Sequence, residues 1–106
     1  MLVATTNDLP GYRITAHLGL VRGVTVRSRN VVSNFGGALQ SLLGGNLSVY
    51  TSLAETARQE AYDLMAQHAR ELGADAVIAM RYDANDIMDR ITEVLAYGTA
   101  VKVERL

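Results

Sequence analysis

The sequence predicts an α+β domain: a two-layer α/β sandwich of two helices on an antiparallel sheet. Three observations predict it. Apolar and polar residues alternate over 12–27, apolar residues recur at three- and four-residue steps over 52–73, and strand-like runs occupy 76–82 and 92–104. Helices gathered mid-chain between hairpin-like strands fit an antiparallel sheet.

The first strand is expected over 2–6, closed by the turn Pro10-Gly11. The second begins at Tyr12, with Tyr12, Ile14, Ala16, Leu18, Leu20, Val24 and Val26 on one face and Arg22 as the exception. At about 3.3 Å per residue this run would reach roughly 50 Å, longer than a small domain is wide. A bend, bulge or break is therefore expected near Gly19 or Gly23, where no side chain resists it. Residues 30–45 carry Phe35, Leu39, Leu42 and Leu43 at helical spacing, weakened by Gly36-Gly37 and stopped by Gly44-Gly45.

The strongest local signal is the second helix, 52–73. Ser52 and Glu55 match a capping box. Ala54, Ala57, Ala61, Met65 (or Leu64), Ala69 and Leu72 form its stripe, and Gly73 is a left-handed stop. So small a stripe permits close approach to a sheet. Residues 76–82 are almost continuously apolar, which predicts burial on both faces. The segment 83–86 reads as a turn. The last strand alternates between a bulky face (Leu95, Tyr97, Thr99, Val101, Val103) and a small one (Ala96, Gly98, Ala100). A face that small invites another element onto the backbone, and Ala96, Gly98 and Ala100 are the expected subunit interface.

Composition bounds the function. One domain spanning 1–106 can bury roughly two-thirds of its extended surface, enough for a core without staples. The absence of cysteine excludes disulfides, thiolate metal sites and thiol catalysis. Ten basic residues against eleven acidic ones, with few aromatics, speak against nucleic-acid binding. No apolar run is long enough for a membrane span, and with no sorting signal recognised the expected location is the cytoplasm.

No motif declares a reaction centre. His17 and His68 lack a second histidine at ligand spacing, so each reads first as a structural side chain. Asp83, Asp86 and Asp89 fail the calcium-loop template, since Ile87 and Val94 occupy ligand positions, and read as a solvated loop. Those five residues are the candidates should a metal ion bind; otherwise no cofactor is expected. Gly44-Gly45-Asn46 could present backbone N–H groups to an anion, but no P-loop lysine follows. Nine of the ten basic residues are arginine, which suits ion pairs between subunits with Glu60, Asp63 and Glu71. The reading is a non-enzymatic protein whose partner is itself, with a small ligand or partner held at subunit junctions. A metal-binding module is the alternative.

Several segments together resemble the YbjQ-like family of small bacterial and archaeal proteins. They are Gly44-Gly45 with Tyr50-Thr51, Ala57-Arg58-x-Glu60-Ala61, Leu72-Gly73-Ala74-Asp75-Ala76-Val77, Arg81-Tyr82-Asp83 and Ala96-Tyr97-Gly98-Thr99-Ala100-Val101. Gly23-x-Thr25 and Arg29-Asn30 also fit, whereas Asn46 stands where relatives more often carry a charge. The resemblance implies a two-layer subunit shaped like that of dodecin, a ring-shaped homopentamer and a heavy-metal-binding label. It supplies no catalytic residues.

Overall fold

The computed structural model describes residues 1–28, 48–89 and 91–106. Among the described residues the fold has four strands, β1 (Leu2–Val3), β2 (Tyr12–Ser28), β3 (Ala76–Met88) and β4 (Ile91–Arg105), and one helix, α1 (Ser48–Glu71). The sheet order is β1-β3-β4-β2. β4 pairs antiparallel with β2 and β3, while β1 adds to β3 in parallel, so the sheet is mixed rather than wholly antiparallel. A strand and helix intervene between β1 and β3, which is the long connection a parallel pair requires. The first helix expected from the sequence, with Gly44, Gly45 and Asn46, lies outside the described residues.

β2 is not broken. It bends at two register shifts, between Ile14 and Ala16 and between His17 and Gly19, with Gly19 at φ +107°. Gly23 stays in regular register and serves a different purpose. A Cβ there would lie 2.1 Å from the Ala61 carbonyl oxygen and 2.5 Å from the Met65 nitrogen, so only glycine lets α1 rest on β2.

The helix begins at Ser48, earlier than the sequence signals suggest, which puts Ser52 inside it rather than at its cap. The Thr56 hydroxyl donates to the Ser52 carbonyl at 3.0 Å, a bond between successive turns. Gly73 ends the element at φ +79°, as its position predicts.

One face of the sheet carries the main core. Ala57, Ala61, Met65 and Ala69 of α1 pack on Val21, Val77, Met80, Val94, Ala96 and Ala100. The helix has chosen the small faces of β2 and β4. Alanine against alanine and glycine brings backbones close and gains dispersion contacts over the whole interface. Ala96, Gly98 and Ala100 are thus buried beneath the chain's own helix, which corrects the expectation that they form a subunit interface. The Arg27–Glu60 ion pair, joined by the Thr25 hydroxyl at 3.3 Å, ties β2 to α1 within one chain.

Among the described residues, the opposite face is covered only at one end. There Leu9 lies over Ala76, Ile78 and Val101, with Tyr12, Ile14 and Val103 around it. Ala76, Val77 and Ile78 are accordingly buried from both sides, as their unbroken apolar run predicts.

Candidate functional site

The structure scatters most of the expected ligands. His68 is tied to the sheet: its Nδ1 accepts the Arg22 backbone N–H at 3.2 Å. That bond requires a neutral ring with its proton on Nε2. It satisfies one donor on the outer edge of β2, so His68 is a structural side chain there. His17 is exposed and sits opposite Val101, five residues or about 16 Å along β2 from the Arg22 amide.

Residues 83–86 are not a turn. β3 runs on to Met88, and the strand period separates the carboxylates. Asp83 lies opposite Leu95 on the face away from α1, and Asp86 lies opposite Thr92 on the helix side, where it accepts the Thr92 hydroxyl at 2.9 Å. Asp89 falls beyond the strand end. Among the described residues no group of three or more His, Asp or Glu side chains could hold a metal ion.

What the sheet does bring together is a shallow cleft of about 280 Å³ on the bare face, lined by Leu20, Arg22, Asp83, Leu95 and Tyr97. The ladder sets it out. Arg22 of β2, Tyr97 of β4 and Arg81 of β3 form one cross-strand row, and Val24, Leu95 and Asp83 form the next. Leu20, Val24 and Val26 on this face are 61%, 41% and 49% exposed. Its floor is apolar, with one guanidinium and one carboxylate at the margin, and its volume lies below the roughly 300 Å³ at which enclosed small-molecule sites begin.

The sequence contained the signal for it. The bulky faces of β2 and β4 were both legible, and a helix lined with alanine fits the small faces. The bulky ones must then be left over.

A second polar cluster borders the helix side of β3. The Arg58 guanidinium lies 5.8 Å from the centre of the Tyr82 ring. Burial raises the Tyr82 pKa above its usual value; Tyr62, Glu55 and Asp63 raise it further, and Arg58 opposes them. Because folding favours the neutral phenol, this contribution to stability is complete below the unfolded pKa of about 10 and is lost as pH rises through the higher folded value. Tyr82→Phe should therefore soften the alkaline loss of stability, read as a smaller fall in melting temperature between pH 9 and pH 11 than in the parent. An equal fall in both would count against this assignment.

Among the described residues no helix is long and apolar enough to cross a membrane. The fold and cleft define a small α+β domain with a helix on one sheet face and, among the described residues, an apolar surface on the other. Residues 1–104 match the family model described as "Putative heavy-metal-binding", and the chain belongs to this YbjQ-like family. It is 64% identical over 105 residues to a UPF0145 protein of Chromobacterium violaceum, covering 99% of this chain and 90% of that one. It is 55% identical over 104 residues to a UPF0145 protein of Burkholderia thailandensis, covering 98% and 94%. A crystal structure of a protein of unknown function from family DUF74 of Pediococcus pentosaceus superposes with a TM-score of 0.66 at 16% identity, covering 98% of both chains. That likeness establishes the fold alone.

Proposed function

We propose that this chain is a non-enzymatic, self-assembling subunit that covers its bare sheet face in a homo-oligomer and holds a small ligand or partner at the junctions. The observation that carries this reading is the placement of α1 on the small face, which leaves Leu20, Val24, Val26, Leu95 and Tyr97 without a cover among the described residues. The family resemblance supports a ring of five with dodecin-like subunits, and a cytoplasmic location belongs to the same reading.

Sedimentation at micromolar concentration tests it. The parent should run as a discrete oligomer, and Leu20→Asp with Val24→Asp should run as a folded monomer, since both sites are solvent-facing in one chain and cost it little. A parent that stays monomeric overturns the reading. The metal-binding alternative is favoured by the family's description rather than by any donor set among the described residues. Calorimetry with zinc, nickel, copper and calcium separates the two, because a micromolar site would favour the metal.

A further inference from the structure

The sheet ends on two edges. On one side, β1 and the segment after it follow β3 only as far as Met80: Ala4 accepts the Met80 N–H at 3.0 Å, and Thr6 accepts that of Ala79 at 2.8 Å. The Arg81 guanidinium closes this stretch on the Thr5 carbonyl at 2.9 Å. From Tyr82 to Met88, β3 has β4 on one side and no strand on the other among the described residues. On the far side of the sheet, β2 is the other edge, where His68 caps the Arg22 amide. A bare edge of seven residues is a template for another strand.

The two edges differ in charge. Residues 82–89 contain Asp83, Asp86 and Asp89 and no basic residue, whereas β2 contains Arg13, Arg22 and Arg27 and no acidic one; Arg13 pairs with Glu104 and Arg27 with Glu60 in the same chain, so Arg22 is the arginine that gives this edge its charge. Two copies of the acidic edge would repel each other, and so would two copies of the basic edge. An acidic edge against a basic one attracts. β2 and β3 also run in the same direction, both antiparallel to β4. A rotation that keeps the strands along its axis therefore sets the β3 of one copy parallel to the β2 of the next.

We propose that the open β3 edge at 82–88 of one copy pairs with the β2 edge at 22–28 of a second copy, head to tail. This rests on the self-assembly reading and adds a strand-edge contact to the sheet-face contact proposed there. Such a contact is heterologous, so repeating it generates a ring when the rotation closes. It makes the sheet continuous and sets Arg22 of one copy beside Asp83 of the next, both on the face away from α1. The cleft then extends across the junction.

Backbone hydrogen exchange on the unmodified protein, concentrated and dilute, is the direct test, because strand pairing protects amides. The outward-facing amides of 82–88 and 23–28, those not bonded to β4, should exchange at least tenfold more slowly in the assembled protein than in the dilute one. Charge exchange adds a second readout: Arg22→Glu and Asp83→Arg should each weaken assembly at least tenfold in sedimentation, and the double variant should recover it. If the parent assembles while these amides stay fast, or stay slow at every dilution, the edge assignment is overturned and self-assembly still stands. A monomeric parent removes both.

Discussion

Gly23→Val is expected to destabilise the fold severely. Overpacking a core typically costs about 1–3 kcal/mol when side chains can give way. Here they cannot. The added carbon would sit 2.1 Å from the Ala61 carbonyl oxygen and 2.5 Å from the Met65 nitrogen, both backbone atoms within a helix, with the Leu64 Cβ at 2.7 Å. Relief requires α1 to lift from β2, and that exposes Ala57, Ala61, Met65 and Ala69 together. A loss above about 3 kcal/mol follows, which for a chain of this size lowers the melting temperature by roughly 12–24 °C. Thermal unfolding by circular dichroism, at one protomer concentration for parent and variant, checks it. A fall of only a few degrees would mean that the helix does not rest on the sheet at this position. Gly98 makes a useful comparison. Its added carbon would meet the Val77 Cγ1 at 2.6 Å, a side chain, and only secondarily the Ile78 carbonyl oxygen at 3.0 Å, so Gly98→Ala should be milder than Gly23→Ala.

This glycine shows where sequence reasoning stops. The alternation of β2, the alanine stripe of α1, the stop at Gly73 and the doubly buried start of β3 were all local patterns, and all were legible. Gly23 was legible only as a point of weakness in a strand. Its actual role, contact with a helix nearly forty residues later, is a long-range fact that no local window contains. The turn expected at 83–86 failed for a related reason. Asp-Ala-Asn-Asp has the composition of a turn, but pairing of Asp83 with Leu95, Ala84 with Val94 and Asn85 with Glu93 overrides it. The candidate site was half legible. Leu95 and Tyr97 were seen as one face of β4, and Leu20 and Val24 as one face of β2. Which face the helix would take was decided by fit: alanine packs on glycine and alanine. Ala96, Gly98 and Ala100 were correctly recognised as a docking face and assigned to the wrong partner.

Met65→Ala is expected to produce the largest loss of any truncation on α1. The stripe could be drawn through Met65 or through its neighbour Leu64, and the two choices differ by a rotation of about 100° around the helix. The structure separates them: Met65 is fully buried, whereas Leu64 is 49% exposed. Met65 is the largest side chain in a helix face otherwise made of alanine, so it fills the space that Ala57, Ala61 and Ala69 cannot reach between Val21 and the rest of the core. Truncation removes the transfer contribution of three heavy atoms and leaves a cavity whose alanine walls have no side chain long enough to collapse into it. A cost of about 2–5 kcal/mol is the range for such sites, or a melting temperature lower by roughly 8–40 °C. Leu64→Ala should cost well under half as much. Because Leu64 neighbours Gly23 across the helix–sheet contact, the comparison also tests the orientation of α1 independently of the glycine. Equal losses at 64 and 65 would require the helix to be rotated about its axis, and the bare sheet face would then no longer follow from the packing.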